Sequence, residues 1–420
     1  MESGFVALAN YERKSLGMPE LPLAIVPYAM GGIPPDEARQ LAVDAFGKML
    51  GEISTALTGQ QQGNAEPAKA KTVTVFNPTF MPEDPSFDGV NRLFYEKQWA
   101  DGLPIVPPTV DRVAAMLRYT DLAPDHVLGK MGPSWHPTTV HHVAVNAVMA
   151  GCRPEYLPVL IAGIQAILDP ELNCYGTQCT TNPAGIMLLV NGPIARELDI
   201  NGGTNLFGQG WYANGTIGRA VRLCLINIGG GIPGETDKAI LGMPGKYTFC
   251  LGEYEEESPW EPLHVSRGLK PEDSAVTVVS AQGTNNVVIL SGNAEDALHL
   301  TADAMMTMGN NNVISGNGNP VVFFSPGHAR LLVEQGFKTR RSVQEYLFEH
   351  ARIPVEDFPK REILPSKPMS IRTVIDGKVC AIHEPDDLLV VVAGGPEPYH
   401  ITYCASIGNS IAPTRKIRMN

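Results

Sequence analysis

Two stretches of this chain repeat one order of residue types, and this repeat constrains the fold more than any other feature of the sequence. In residues 182–196 and again in residues 318–330, an Asn/Gly-rich loop leads into a short apolar run, a Pro turn and a short helical stretch. A second helix is predicted after each copy, over 216–228 and over 339–353. Duplicated half-domains place their equivalent loops around a common axis, so the repeat predicts two similar halves that share a cleft.

Strand-length apolar runs alternate with helical stretches along the chain, which predicts an α/β fold. We predict two pseudo-repeated α/β half-domains sharing a cleft, together with a small N-terminal α/β fragment. The predicted segments are the fragment (1–58), a linker (59–85), a first repeat with flanking helices and an insert (86–275), a second repeat (276–366) and a β-rich C-terminal tail (367–420). Within the fragment, a strand over 21–26 and a helix over 34–57 bury too little surface to fold alone.

Composition excludes several classes of function. The net charge of −12 argues against nucleic acid as a partner, because proteins of that class carry a basic surface. No apolar run approaches the roughly 20 residues that a membrane-spanning helix needs. The seven cysteines are dispersed, and the first residues lack the basic and apolar regions of a signal peptide. We therefore expect a cytoplasmic protein with reduced thiols.

Four short motifs stand out in residues 1–58. They are Phe5-Val6-Ala7-Leu8-Ala9, Leu16-Gly17-Met18-Pro19-Glu20-Leu21, Val26-Pro27 and Gly31-Gly32-Ile33-Pro34. This segment resembles the C-terminal half of the UGSC selenoprotein family, named for a selenocysteine (or Cys)-Gly-Ser-Cys motif. In that family the redox motif lies upstream of the resembling segment. The resemblance implies a separate small subunit that carries a UGSC- or CGSC-type motif, or the loss of that motif from this chain.

Four further motifs mark the rest of the chain. They are Gly102-Leu103-Pro104-Ile105-Val106-Pro107-Pro108-Thr109, the stretch from Ala147 to Tyr156, Asn214-Gly215-Thr216-Ile217-Gly218-Arg219-Ala220, and the stretch from Glu256 to Val265. They resemble a bacterial family that is often found beside or fused to the UGSC domain. This resemblance implies a family for nearly the whole chain, but no particular reaction.

A loop over 174–182 is predicted just before the first repeat strand, and it carries two thiols. We take Cys179 as the candidate nucleophile, because Thr180, Thr181 and Asn182 follow it directly and supply hydrogen-bond donors. The spacing of the two thiols differs from the C-x-x-C of redox and zinc pairs. The alternative is that both thiols are buried and have no chemical role.

A glycine-rich loop over 202–219 is predicted to end at a helix N-terminus. Its candidate substrate-binding residues are Asn205, Trp211, Asn214, Thr216 and Arg219. Free backbone N–H groups at a helix start, with an arginine nearby, favour a carboxylate or phosphate. The pattern is neither a Walker loop nor G-x-G-x-x-G, so no nucleotide cofactor is implied. The alternative is a turn-rich loop with a helix cap.

An acidic segment over 253–264 supplies the remaining candidate catalytic residues, Glu257 and His264. A carboxylate and an imidazole at this spacing could transfer protons or bind a metal ion, and the alternative is an ordinary solvated acidic surface. We expect the three candidate loops to converge on one small-molecule pocket.

Three functions remain open at this point. The favoured one is the large subunit of a cytoplasmic enzyme that acts on a small polar or anionic metabolite by thiol-assisted redox or lyase chemistry. The second is a metal-dependent hydratase or lyase that uses a Glu/His/Cys site. The third is a non-catalytic partner of a subunit that carries the UGSC motif.

Overall fold

The structure is a computed structural model, and it describes residues 81–290, 292–315, 318–360, 372–408 and 410–418, with positions 9, 10, 13, 23, 39–47 and 49. The chain divides into two compact units. Residues 1–80 and 355–372 form the first, and residues 81–354 and 373–420 form the second.

Helices and strands alternate through the described chain, which confirms the predicted α/β class. The helices are α1 (Phe87–Glu96), α2 (Val110–Leu117), α3 (Val140–Ala150), α4 (Leu157–Ile167), α5 (Cys174–Cys179), α6 (Pro193–Glu197), α7 (Tyr212–Asn227), α8 (Leu263–Ser266), α9 (Ala294–Met305), α10 (Asn311–Ser315), α11 (Pro326–Glu334), α12 (Arg340–His350) and α13 (Asp357–Lys360). The strands are β1 (Val127–Met131), β2 (His136–Thr139), β3 (Gly185–Asn191), β4 (Cys250–Gly252), β5 (Ala275–Ala281), β6 (Asn285–Val288), β7 (Val321–Phe324), β8 (Arg352–Pro354), β9 (Val374–Ile375), β10 (Lys378–Cys380), β11 (Leu389–Val392), β12 (His400–Cys404) and β13 (Thr414–Lys416).

Two four-stranded sheets among the described residues have the same strand order and directions. In the first, β3 pairs in parallel with β4 and antiparallel with β5, and β13 pairs with β5. In the second, β7 pairs in parallel with β11 and antiparallel with β12, and β6 pairs with β12. The order of elements along the chain is also shared, because α4, α5, β3, α6, α7 and β4 correspond to α9, α10, β7, α11, α12 and β11. The predicted pseudo-repeat itself stays a prediction.

The outer strands of the two sheets are exchanged between the halves. Strand β6 follows β5 along the chain but joins the second sheet, and β13 follows β12 but joins the first sheet. Each sheet therefore needs one strand from the other half of the chain, and neither half closes its own sheet.

Alternating side chains of the central strands create a four-layer packing of helices, two sheets and helices. On β3, Ile186 and Leu188 join a core with α3, α4 and α7, while Met187 and Leu189 join a core between the sheets. On β7, the side chain of Phe323 enters the core between the sheets. The other face of β7 packs with α9, α11 and α12. A strand that is buried on both faces has a continuous run of apolar residues. Such a run is visible in the sequence, and this is why these strands can be predicted.

Local residue choices fix where several elements begin and end. Helix α3 begins after a capping box at Thr139 and ends at Gly151, whose φ of 86° is the left-handed conformation that favours glycine. After β3, Gly192 has a φ of 85°, and a Cβ there would lie 2.2 Å from the backbone oxygen of Asp273. The turn that leads from β3 into α6 therefore requires glycine.

The structure corrects three local predictions. Residues 174–179 form the helix α5 rather than a loop, and the side chain of Asn173 caps it by accepting a hydrogen bond from Gly176 N. Helix α7 begins at Tyr212, so the predicted start near residue 216 is wrong by one turn. The insert within the first repeat, over 232–272, is predicted to be irregular, but it contains the strand β4, which is too short to show a period in the sequence.

The described part of the first unit is mainly helical. Residues 39–47 form a helix, as predicted, and Val43 and Phe46 on it are exposed. Within the same unit, the Arg372 guanidinium lies 5.4 Å from the ring centroid of Phe358. The predicted strand over 21–26, apart from Leu23, and the predicted linker over 59–85, apart from residues 81–85, lie outside the described residues. Among the described residues, no helix is both long enough and apolar enough to span a bilayer.

Candidate functional site

The acidic segment follows β4 at the carboxyl ends of the parallel strands β3 and β4, where α/β sheets often bind ligands. Its first carboxylate, Glu253, is buried and accepts hydrogen bonds from three partners. Asn191 Nδ2 lies at 2.6 Å, Leu263 N at 2.7 Å and Arg340 Nη2 at 2.9 Å. Glu253 is therefore fully engaged in holding its own segment and α12 in place.

The carboxylates of Glu255 and Glu257 in this segment also have partners, whereas the ring of His264 makes no hydrogen bond to a described residue. The Glu255 carboxylate accepts hydrogen bonds from Asn191 Nδ2 and Gly192 N, and its Oε1 lies 3.6 Å from His264 Nδ1. The His264 side chain is fully buried, and neither ring nitrogen makes a hydrogen bond to a described residue. Glu257 is half exposed and forms an ion pair with Arg330 at 2.9 Å. The two predicted catalytic groups, Glu257 and His264, thus do not face one another as an acid–base pair.

This segment connects the two halves. Trp260 packs into the core of the second half with its ring 6.3 Å from that of Phe324, and its Nε1 donates to Phe337 O. Tyr254 N donates to Val392 O on β11. We call residues 253–264 the clasp. A cavity of about 790 Å³ adjoins the clasp and is lined by Trp211 and Glu257, among others.

Most of the predicted substrate-binding residues in the glycine-rich loop hold the loop itself. The Asn205 side chain donates to Gln209 O, that of Asn214 bonds both the N and the O of Asn201, and Thr216 Oγ1 donates to Tyr212 O. These contacts use the polar groups that a substrate would need. These three residues therefore agree with the alternative of a turn-rich loop with a helix cap.

The charge of Arg219 is balanced within the protein. Its guanidinium donates to both carboxylate oxygens of Asp101, at 2.7 and 2.8 Å, and to the carbonyls of Leu103 and Pro104. The Asp101 side chain is almost fully buried in this pair. Arg219 anchors the segment over 101–104 to α7, and its role in substrate binding stays a prediction.

The segment over 174–182, which carries Cys179, precedes β3, whereas the acidic segment lies at the carboxyl end of that strand. The predicted convergence of the three segments on one pocket therefore does not occur. Thr180 Oγ1 accepts a hydrogen bond from Asn182 N, and Thr181 O accepts one from Ile240 N. The Asn182 side chain donates to Asn311 Oδ1. Burial raises the pKa of the Cys179 thiol, and the Asp237 carboxylate raises it further. A nucleophilic thiolate needs the opposite shift, which corrects the expectation for Cys179.

The raised pKa of Cys179 predicts slow alkylation of the native protein. The thiolate reacts and the thiol does not, so at pH 7.5 iodoacetamide should modify Cys179 more slowly than it modifies an unfolded cysteine. The rate should increase steadily as the pH is raised. Peptide mass spectrometry of timed samples measures this rate, with Cys152 as the buried reference. Fast modification of Cys179 at neutral pH would restore the thiolate hypothesis.

A cavity of about 910 Å³ lies beside this thiol and brings together charged groups from separate segments. Arg222 of α7 is buried, its Nε donates to Lys246 O at 2.7 Å, and its Nη1 donates to Gln178 Oε1 at 3.0 Å. Its Nη2 makes no hydrogen bond to the described residues. The Lys246 amine contacts both oxygens of Asp237, at 2.6 and 2.8 Å. Glu96 adds a carboxylate at the exposed rim.

The wall that carries Asp237 is a tightly bonded turn. Ile232 N donates to the hydroxyl of Thr236, and that hydroxyl donates to Gly230 O. Gly234 N donates to Asp237 O, and Asp237 Oδ1 also accepts from Ala239 N. These bonds hold the carboxylate at a fixed place in the cavity.

The sequence analysis missed Asp237, Lys246, Gln178 and Arg222. One signal was present, because Arg222 falls on the apolar face of α7, between Val221 and Leu225. A charge on an apolar face is buried, and a buried charge needs a partner. Asp237 and Lys246 have no such signal, because they lie in the irregular insert.

The described residues contain no group of three or more His, Cys, Asp or Glu side chains arranged to hold a metal ion. Comparison of the chain with protein-family models, curated proteins and solved structures finds no match.

Proposed function

We propose that this chain is an enzyme, or the large subunit of one, that binds a small carboxylate at Arg222 and acts on it by proton transfer. The observation that carries the proposal is the buried Arg222 guanidinium. Two of its nitrogens are fixed by Lys246 O and Gln178, and the third has no partner among the described residues in a wall of the 910 Å³ cavity. A planar guanidinium held in this way matches a carboxylate.

The charge balance of the less exposed side chains that line the cavity supports an anionic ligand, because the exposed carboxylate of Glu96 is screened by water. Arg222 and Lys246 are positive, Asp237 is negative, and Asp101 is neutralised by Arg219. Among the described residues, one buried positive charge remains without a partner, which is costly. A carboxylate would supply the missing negative charge.

The type of reaction follows from the Asp237–Lys246 pair. Burial lowers the pKa of Lys246, and the Arg222 charge lowers it as well, against the opposing effect of Asp237. An amine whose pKa lies nearer neutrality exchanges protons more readily, and Asp237 is placed to take the proton. Of the chemistries expected from the sequence, these groups favour the lyase type over a thiolate mechanism.

Substituting Arg222 tests the proposal. Binding of acetate, pyruvate, succinate and inorganic phosphate to the purified protein would be measured by titration calorimetry. We expect at least one carboxylate to bind, and Arg222→Lys to weaken it by about tenfold or more, because the planar fork is lost. Arg196→Lys, at an exposed arginine outside this cavity, is the matched control and should bind normally. Equal binding by Arg222→Lys and the wild type would refute the proposal.

A partner subunit remains part of the proposal because of the resemblance to the UGSC family. A small subunit with a UGSC- or CGSC-type motif would supply redox groups that the Arg222 cavity lacks. Mass spectrometry of proteins that co-purify with this chain, including the product of an adjacent gene, tests that partnership.

A further inference from the structure

Lys246 is held in a way that suits an amine taking part in a reaction. It ends the short turn Pro244–Lys246, and its backbone oxygen is fixed by the Arg222 guanidinium at 2.7 Å. The side chain is 17% exposed and lines the 910 Å³ cavity, so a small molecule can reach its Nζ. The backbone is thus fixed, and the amine faces the space where a ligand would bind.

Asp237 is placed to accept a proton from that amine and to return it. Its two oxygens lie 2.6 and 2.8 Å from Lys246 Nζ, and the turn over 230–237 fixes the carboxylate. An ammonium group has three protons, so one of them is left for a group other than Asp237. Transfer of a proton to Asp237 would give the neutral amine, which has a free electron pair.

Arg222 and Lys246 together match two adjacent groups of one substrate class. Both side chains line the same cavity, and Arg222 Nε contacts the backbone oxygen of Lys246 at 2.7 Å. A carboxylate bound at Nη2 of Arg222, and a carbonyl carbon next to it, would therefore share this part of the cavity with the amine. We propose that Lys246 forms an imine with the carbonyl carbon of a 2-oxo acid whose carboxylate is bound by Arg222. This inference rests on the proposed function, since it uses the same site.

The step balances without a further reagent. The Lys246 ammonium gives one proton to Asp237, and the amine nitrogen attacks the carbonyl carbon to form a carbinolamine. The carbonyl oxygen collects two protons and leaves as one water molecule, and the product is a cationic C=N bond with one proton on nitrogen. No atom is oxidised or reduced. The cationic imine keeps the positive charge beside Asp237 and withdraws electrons from the adjacent carbon, which is what lyase chemistry requires.

Borohydride trapping tests the inference on the full chain. The protein would be incubated with pyruvate and sodium borohydride, which reduces an imine to a stable amine, and the modified peptide would be mapped by mass spectrometry. We expect one reduced pyruvate adduct at Lys246. Lys246→Arg should lower the labelled fraction about tenfold or more, while Lys238→Arg, at a nearby lysine outside the cavity lining, should label normally.

Calorimetry with pyruvate separates this inference from the proposed function. If pyruvate binds in an Arg222-dependent way but no adduct forms at Lys246, the imine is refuted and the carboxylate site stands. If other carboxylates bind and pyruvate does not, the substrate class is wrong. An adduct confined to other lysines also overturns the inference. Peptide mapping of the wild type gives the answer even if Lys246→Arg does not fold.

Discussion

Replacing Arg340 with methionine is expected to lower the free energy of unfolding by about 3 kcal/mol, as for other buried ion pairs that lose one partner. The side chains of Arg340 and Glu253 are 5% and 1% exposed, so the remaining carboxylate would stay buried without its cation. The expected loss lies at the low end of the usual range. The reason is that Nε and Nη1 of Arg340 are buried without hydrogen bonds to described residues, and methionine removes that cost. Urea denaturation measures the change.

A second ion pair of the clasp, between Glu257 and Arg330, is the control for this experiment. Arg330 and Glu257 form an ion pair of similar length, but their side chains are 47% and 43% exposed. Arg330→Met should therefore change the free energy of unfolding by less than about 1 kcal/mol. The double variant Glu253→Gln, Arg340→Met should recover part of the loss, because no buried charge remains. Similar small effects at both arginines would show that the clasp does not stabilise the contact between the halves.

Replacing Trp260 with alanine is expected to cost about 3–5 kcal/mol, the usual range for a large aromatic side chain removed from a core. Trp260 is 6% exposed, and it lies in the core of the second half although it follows a strand of the first sheet. The variant loses packing against Phe324 and the hydrogen bond to Phe337 O. Thermal and urea unfolding of the variant measure the loss.

Trp135 is the matched control for Trp260. It is 57% exposed and stacks on Tyr175 with a centroid distance of 5.9 Å. Trp135→Ala should lower the free energy of unfolding by about 1 kcal/mol, the value of an aromatic pair with little burial. A smaller loss for Trp260→Ala than for Trp135→Ala would mean that the clasp is not a structural link.

These two results bear on function as well as on stability. If the clasp mainly joins the halves, the carboxylates over 253–257 are structural, and the acid–base hypothesis based on Glu257 and His264 loses its support. The cavity lined by Arg222, Asp237 and Lys246 is then the remaining candidate site. That cavity lies at the other end of β3, beside Cys179.

The sequence by itself determined the elements that are long, apolar or clearly capped. The runs in β3, β7 and β11 are predictable because both faces of these strands are buried, and α3 is predictable from its apolar face. The similarity of residues 182–196 and 318–330 also predicts two similar halves, and this stays a prediction. These features depend on local patterns, and a local pattern is visible in a sequence.

Only the tertiary structure decided which charges have partners. Asp101 lies far from Arg219 in the sequence, yet this contact balances the charge of Arg219. Arg222, three residues further on, has one nitrogen without a partner in the described part of the chain, because Lys246 and Gln178 hold only the other two. The pKa of Cys179 depends on burial and on Asp237, and neither effect can be predicted from the residues that flank the thiol in the sequence. Burial and long-range charge pairing arise when distant segments pack together, so the sequence identifies the elements while the packing selects the site.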